Sequence, residues 1–340
     1  MRKLVVAVLA GTALLALEVP ARAQSLGEDF RKANPSVVVI RAKGRDVGSG
    51  GITRFTETGS GVLISADGKI MTAAHVVQAM DEITVEFLGG ETVPATVVAS
   101  EPAADLSLLQ LARVPQGVRV AKMGDSNTVR VGDQVMIIGA PYGLAHSMSA
   151  GWISARWPPN TVFRAMPLAE FFQTTATINT GNSGGPMFNM AAEVIGIVSH
   201  NISKSGGSEG LGFVVTLNTA KKLLLEKKSF WSGLEGTMLT PEQLAILNVP
   251  QATGFLIKTV AKDSPAWDMG LLGSDKVATI GGQQIAVGGD IILELEGLGI
   301  GHPDTIEKIR ATLTNLPPGT PFTLKVLRAG KVIELTGKTR

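Results

Sequence analysis

Between Ser36 and Leu217 the apolar runs are short, and each gives way to glycine, proline or another turn-forming residue. The strand-like runs are Ser36–Arg41, Gly61–Ser65, Ile83–Leu88, Val93–Ser100, Leu106–Leu111, Gln134–Gly139, Gly151–Ala155, Phe171–Ala176, Pro186–Asn189, Glu193–Ser199 and Gly212–Leu217. Turns such as Ala66-Asp-Gly68 and Leu88-Gly-Gly90 separate some of them. Forty glycines and seventeen prolines sustain this punctuation. Many short strands broken by turn residues predict an antiparallel sandwich or barrel.

The rest of the chain frames that region. At the N-terminus, Arg2 and Lys3 precede the apolar run Leu4–Leu17, and Ala21-Arg-Ala23 supplies a small-x-small cleavage pattern. Residues 1–23 therefore read as a signal peptide cleaved after Ala23, because the run falls short of the roughly 20 apolar residues a membrane span needs. No stable membrane anchor is expected to remain, and export points to the periplasm, with full secretion as the alternative. A short helix is expected over Gly27–Asn34. A closing helix is expected over Thr219–Lys228, with Asn218 as N-cap and Ala220, Leu223 and Leu224 on one face. A first domain spans 24–228, and residues 229–233 (Ser229-Phe-Trp-Ser-Gly233) read as a linker. A smaller mixed domain then occupies 234–340. Its strands are Gly254–Ala261, Asp290–Leu295, Pro321–Leu327 and Lys331–Thr336. A short helix is expected near Ser264–Met269. A longer one runs from about Asp304 to Leu313, with Ile306, Ile309 and Leu313 at helical spacing.

Composition removes several functions. The chain has no cysteine, so disulfides, thiol catalysis and thiolate metal sites are excluded. The net charge is only +2 and no long Lys/Arg run appears, which argues against a nucleic-acid binder. There is no HExxH and no second histidine near His75 in sequence, so a metallohydrolase is disfavoured, and no metal or organic cofactor is expected.

One stretch demands an explanation: Thr177-Ile-Asn-Thr-Gly-Asn-Ser-Gly-Gly-Pro186, in which Ser183 sits among glycines. A serine hydroxyl is a weak nucleophile unless a base takes its proton. Of the four histidines, His75 is the best candidate, because it follows the strand-like Gly68–Met71 and small Ala73 and Ala74 leave room beside it. The imidazole then needs a carboxylate to fix its tautomer and stabilise the imidazolium. Asp105, at the mouth of the apolar segment Leu106–Leu111, is placed to supply it. The glycines gain a purpose as well. An attacked carbonyl develops negative charge that backbone N–H groups must meet, each worth about 3–4 kcal/mol to the transition state. The Gly181 and Ser183 N–H groups, with Asn182 between them, are the expected oxyanion hole.

Thr72-Ala-Ala-His75, Ala104-Asp-Leu-Ser107 and Gly181-Asn-Ser-Gly-Gly185 resemble the catalytic blocks of trypsin-like serine proteases. Supporting segments such as Asn34-Pro-Ser-Val-Val38, Gly59-Ser-Gly-Val62, Ile138-Gly-Ala-Pro-Tyr-Gly143 and Gly210-Leu-Gly-Phe213 narrow the resemblance to the HtrA (Deg) family. The resemblance implies a mostly β, chymotrypsin-like double β-barrel with the site between the barrels. It implies ATP-independent endopeptidase activity on unfolded or damaged proteins, and a homo-oligomer, often a trimer. It places the specificity pocket base at uncharged Thr177 and a wall at Ser199, His200 and Asn201, so cleavage after small or medium aliphatic residues is expected. It also assigns regulatory loops to Arg41–Thr58, Ala145–Leu168 and His200–Gly210.

The second domain is similar to an α+β PDZ domain through Gly254-Phe-Leu-Ile-Lys-Thr259, Asp263-Ser-Pro-Ala266 and Gly289-Asp-Ile-Ile-Leu293. Such domains add an extended peptide to a strand edge. Here the edge is expected at Gly254–Val260 against the Asp304–Leu313 helix, the peptide carboxylate meeting N–H groups near Leu234–Met238. Candidate contacts are Leu234, Gly236, Phe255, Ile257, Ile306 and Ile309. Glu235 puts negative charge where that carboxylate docks, and Gly273–Gly288 reads as an inserted hairpin. The alternative to a peptide site is a structural cap. The rival reading of the whole chain is a chaperone or adaptor that binds unfolded proteins or peptides with little proteolysis.

Overall fold

The strand-rich region closes into two barrels. In this computed structural model, which describes residues 26–227, 229–280, 283–301, 303–317 and 319–339, a short helix α1 (Leu26–Ala33) leads through a turn at Asn34–Ser36 into the first barrel. The expected signal segment, residues 1–23, and Lys228 lie outside the described residues. The first barrel contains β1 (Val37–Gly48), β2 (Gly51–Leu63), β3 (Lys69–Thr72), β4 (Glu82–Glu86), β5 (Thr92–Glu101) and β6 (Leu106–Leu111), closed in the order β1-β2-β3-β6-β5-β4. A helical turn, α2 (Ala74–Val77), follows β3. Period-two alternation sets the inward face: along β5, Val93, Ala95 and Val97 are buried while Thr92, Pro94, Thr96 and Val98 face outward.

The second barrel uses β7 (Lys122–Met123), β8 (Gln134–Gly139), β9 (Ser147–Trp157), β10 (Phe171–Thr174), β11 (Pro186–Phe188), β12 (Glu193–Asn201) and β13 (Gly212–Thr216). Pairing of β11 with both β8 and β12 closes the ring, and β7 attaches outside it along β12. Strand β12 is buried on both faces. Its Ile195 and Val198 fill the barrel interior with Phe172 and Val214. Its Val194 and Ile197 join a cluster that takes Val62, Met71, Leu106 and Leu108 from the first barrel and Met136, Ile138 and Phe188 from the second. The seam between the barrels is therefore a single apolar core, as the chymotrypsin-like double-barrel fold requires.

After β13 the chain turns into α3 (Leu217–Ala220), which continues as a π-helical turn, Lys221–Glu226. Ala220, Leu223 and Leu224 are buried as the helical spacing predicts. Asn218 is not the cap: the N-cap is Thr216, and the Asn218 amide instead donates to Asp125 at 2.7 Å. The third unit is a sheet ordered β14-β15-β18-β20-β21, made of β14 (Leu234–Met238), β15 (Phe255–Val260), β18 (Ile291–Leu295), β20 (Pro321–Arg328) and β21 (Lys331–Lys338), with β19 (Leu298–Gly299) beside β18. It carries the helices α4 (Pro241–Ile246), α5 (Pro265–Asp268) and α6 (Pro303–Asn315). The suspected insertion is a hairpin of its own, β16 (Lys276–Ile280) with β17 (Gln283–Val287).

Two expectations need correction. Arg41–Thr58 is not an irregular loop. It is the outer part of the β1–β2 ribbon, in register from Val37↔Val62 to Gly48↔Gly51, because a tight turn at Ser49-Gly50 lets the two arms pair without interruption. The open edge of the third sheet is not β15 either. Strand β15 lies between β14 and β18, so its backbone groups are committed on both sides and the outer strand is β14.

The third sheet rests on the first barrel through named polar contacts. Arg45 bonds Asp81 at 2.7 Å and the Val260 carbonyl at 3.1 Å. Lys258 pairs with Asp46 at 3.0 Å, Arg310 of α6 pairs with Glu101 at 3.0 Å, and the Trp231 indole donates to the Gln78 carbonyl at 2.9 Å. The seam between the barrels generates a stability prediction. Phe188 is fully buried there, so Phe188→Ala should destabilise the protein by about 3–5 kcal/mol, read as a lower urea midpoint for loss of near-ultraviolet circular dichroism.

Candidate active site

Each candidate catalytic group is presented by a short irregular turn at the end of a strand. Strand β3 delivers the chain into α2, and buried Ala73 and Ala74 let that turn sit tightly against the barrel, projecting His75 outward. Asp105 ends a 3-10 turn, Pro102–Ala104, with φ 54, in the left-handed region that aspartate tolerates better than most residues. The turn is fixed from several sides. The Glu101 carboxylate accepts from the Ala103 N–H at 3.3 Å, the Leu168 N–H donates to the Ala103 carbonyl at 3.0 Å, and the Asp105 N–H donates to Pro102 at 3.0 Å.

The structure brings His75 and Asp105 together. His75 Nδ1 lies 2.9 Å from each carboxylate oxygen, and the His75 backbone N–H donates to Asp105 Oδ1 at 3.1 Å. Ser199 Oγ, from β12 of the other barrel, donates to Asp105 Oδ2. Burial alone would raise the Asp105 carboxyl. The bonds and charge of His75, with the Ser199 hydroxyl, outweigh it and hold the group below the usual carboxylate range. For His75, burial would depress the imidazole, but the Asp105 hydrogen bond and charge, helped by Glu57, raise it above its ordinary value. The His75 side chain is 46% exposed, so its outer edge is open to an incoming group.

Ser183 joins this network from the glycine-rich loop. Its Oγ donates to the Ser199 carbonyl at 3.3 Å, on the residue whose hydroxyl holds Asp105. The Ser183 carbonyl accepts from the Ser60 N–H at 2.8 Å, Ser60 Oγ donates to the Gly181 carbonyl at 2.7 Å, and the same Oγ accepts from the Ala140 N–H at 3.0 Å. Thr72 Oγ1 in turn donates to the Ser60 carbonyl at 2.8 Å. Ser60 is fully buried and ties the nucleophile loop to β2. Gly181 has φ +101, and a Cβ there would strike the Ala140 carbonyl; at Gly184, φ +80, it would strike Thr72 Oγ1 and the Ser60 carbonyl. The loop is glycine-rich because it passes backbone against backbone.

Among the described residues, neither the Gly181 nor the Ser183 N–H donates an intramolecular hydrogen bond. Those two free donors lie in the turn that carries the Ser183 hydroxyl. Asn182 is different: its N–H donates to Asn179 at 3.0 Å and its side-chain amide reaches the Thr177 carbonyl at 3.3 Å. Asn182 is therefore a structural member of the loop and not a third oxyanion donor.

The expected specificity residues separate. Thr177 is exposed, its carbonyl taking Ser149 Oγ at 2.8 Å, so its side chain does not floor an enclosed pocket. The Asn201 amide spans the Ile178 carbonyl at 3.2 Å and the Gly207 carbonyl at 3.1 Å, bracing the loop after β12. Ser199 serves Asp105, and His200 turns into an aromatic cluster with Phe163, Phe171 and Phe213. Sequence reasoning gave Ser60 and Thr72 no role in the site and gave Ser199 a place on a pocket wall, not behind Asp105. Their signal was a polar side chain inside an otherwise core-facing strand.

In the third sheet, Leu234, Phe255, Ile257 and Ile309 share one apolar cluster, while the Ile306 side chain lies outside the described residues. Ile257 is fully buried and has no surface for a ligand. At Gly236 a Cβ would strike the Leu256 carbonyl. The Leu234 carbonyl accepts from Gln78 at 3.3 Å. Glu235 does not stand as a bare charge: Lys258 lies 3.7 Å away and bridges it to Asp46. Among the described residues no cluster of three or more His, Asp or Glu could hold a metal, and no helix is long and apolar enough to cross a membrane.

The family model for a trypsin-like peptidase domain matches residues 59–197, from the Ser60 clamp to β12. A probable periplasmic serine endoprotease, DegP-like, of Pseudomonas savastanoi pv. phaseolicola is 33% identical over 298 residues, covering 85% of this chain and 57% of that protein. Its counterpart from Brucella suis biovar 1 is 31% identical over 281 residues, covering 78% of this chain and 54% of that protein. The chain thus spans little more than half the length of these curated relatives. Among solved structures, the HtrA-type protease AlgW with a decapeptide superposes with TM-score 0.54 at 27% identity, covering 92% of this chain and 98% of that one. AlgW with a tripeptide gives TM-score 0.54 at 29% identity, covering 92% and 96%. With the double barrel and these similarities, the chain belongs to the HtrA-type family of trypsin-like serine proteases.

Proposed function

We propose that the protein is an exported serine endopeptidase that cuts unfolded or damaged proteins in the periplasm. One observation carries the reading: a carboxylate-backed imidazole and a serine hydroxyl share the Ser199 hub, beside two backbone N–H groups without partners. Rotation of Ser183 Oγ away from the Ser199 carbonyl frees it to give its proton to His75 Nε2 as Oγ attacks the scissile carbonyl. The oxyanion takes the Gly181 and Ser183 N–H groups. Collapse breaks the C–N bond, His75 returns the proton to the leaving amine, and water repeats the sequence on the acyl-enzyme. Asp105 stays ionised and steadies the imidazolium. Periplasmic residence rests on the expected signal segment and on the names of the relatives, and assembly as a homo-oligomer, a trimer by resemblance to the family, belongs to the same proposal.

The third sheet supports a PDZ-like role as one domain from residue 234 onward. A peptide would add to β14, with α6 as the opposite wall. For the cleavage site, the support is the family resemblance alone, since exposed Thr177 floors no enclosed pocket and Asn201 braces a loop. We therefore retain small or medium aliphatic residues before the cut.

Incubation with casein tests the whole reading: the wild type should degrade it and Ser183→Ala should not. If both leave casein intact yet suppress aggregation of an unfolded client, the protein is a holdase and the protease reading fails. A peptide library should show cleavage after Val, Ala or similar residues; preference for Lys or Arg would overturn the specificity. The pH profile follows from His75. Its raised pKa means that the neutral, base-competent imidazole is lost as pH falls through a value above the ordinary 6.5. The acid limb of kcat/KM should accordingly have its midpoint above that value, measured with a peptide substrate whose own groups do not titrate there.

A further inference from the structure

His200 is an ionisable side chain in a place suited to a phenylalanine. Its ring lies 4.1 Å from Phe163 and 5.7 Å from Phe171, edge to face with both, and stacks on Phe213 at 5.7 Å. A fourth phenyl ring would satisfy that box without burying a polar atom. Instead, among the described residues, buried Nε2 has no partner, and the one polar contact of the ring is Nδ1 to Ser199 Oγ at 2.8 Å. Consecutive residues of a strand normally face opposite ways. Here the β12–β13 register shifts between Val198 and His200. Such a bulge re-aims side chains, and it brings the Ser199 and His200 side chains together beside Asp105.

The proton positions follow by elimination. Asp105 is held ionised and can only accept, so the Ser199 hydroxyl must spend its one proton on Oδ2. Ser199 Oγ can then only accept from His200, which fixes the neutral ring as the Nδ1–H tautomer. We propose that His200 is a positioning residue of the proton-transfer line: its Nδ1–H occupies the Ser199 oxygen, commits the Ser199 proton to Asp105, and so keeps that carboxylate aimed at His75. This rests on the protease reading above. Burial lowers the basicity of His200; Asp105 opposes this and His75 adds to it, and these are the titratable groups that act on the ring. The ring therefore stays neutral through the range in which His75 works as a base.

The chain also polarises charge. A donor behind Ser199 strengthens the Ser199–Asp105 bond and spreads the carboxylate charge, which weakens the hold of Asp105 on the His75 proton. Removing that donor leaves more negative charge on Asp105 to hold the His75 proton and should raise His75 further.

The test compares wild type, His200→Phe and His200→Asn, whose amide can donate from the Nδ1 position. In His200→Phe, kcat should fall about 3–10-fold with KM within about twofold, the loss expected of one net hydrogen bond. The acid limb should move to higher pH, and His200→Asn should recover both. A Phe variant with wild-type kcat and acid limb, or an Asn variant that folds without rescue, would leave His200 a packing residue and overturn the proposal. Histidine 15N spectra of the full chain carrying Ser183→Ala read the tautomer directly, whether or not the variants fold or the enzyme cuts peptides. Protonated Nδ1 with bare Nε2 is expected for His200, and an Nε2–H tautomer sinks the idea. Absence of proteolysis with the Nδ1–H tautomer present would count against the protease reading alone.

Discussion

A carboxylate taken out of water is costly, by several kcal/mol even after the protein relaxes around it. Asp105 is buried and ionised, so the fold must surround it with donors, and it draws them from both barrels. The first barrel gives the His75 ring and backbone N–H; the second gives the Ser199 hydroxyl. The two closed sheets have no covalent bridge, since the chain has no cysteine. Their relative placement is set by the shared apolar seam and by this charge. The seam supplies most of the driving force because burial of apolar area is non-directional and large. The carboxylate supplies direction, because displacing either barrel would leave a buried charge short of a donor.

The glycine-rich Ser183 loop is held by the same logic on a finer scale. Ser60, on the first barrel, takes three backbone groups of the second: the Ser183 and Gly181 carbonyls and the Ala140 N–H. With those carbonyls fixed from behind, the Gly181 and Ser183 N–H groups are turned outward. Leaving such donors without a protein partner forfeits hydrogen bonds in the resting state. The rigid backing meets that cost ahead of time, so little reorganisation remains when an oxyanion forms.

The sequence made the barrels legible because alternation and turn chemistry are local. It singled out the His75, Asp105 and Ser183 blocks because each combines residue types that have few other uses together. It failed where the answer depends on tertiary pairing. Ser199 and His200 were read as neighbours on a pocket wall, but a bulge in register with β13 sends both toward Asp105. Thr177 was placed by counting back from Ser183, and counting does not report exposure. The β15 edge was assigned by resemblance to a PDZ domain, yet β15 is central here, flanked by β14 and β18. The Arg41–Thr58 segment lacks continuous apolar alternation; its pairing is set by the tight turn and by contacts with β4.

The turn that presents Asp105 is also where distant parts of the chain converge. Leu168, from the segment after β9, bonds the Ala103 carbonyl, and Phe163 of the same segment packs on His200. From the other side, Glu101 steadies the Ala103 N–H while Arg310 of α6 pairs with it. Burial raises the Glu101 carboxyl, and the Arg310 charge opposes this. Withdrawing that guanidinium would leave a carboxylate that is 2% exposed without its cation, and such a group either takes up a proton or shifts to reach water. Either response acts on the Pro102–Ala104 turn. A helix of the third sheet thus bears on Asp105, the residue behind His75, through one ion pair and one turn, with no need for a long chain of contacts.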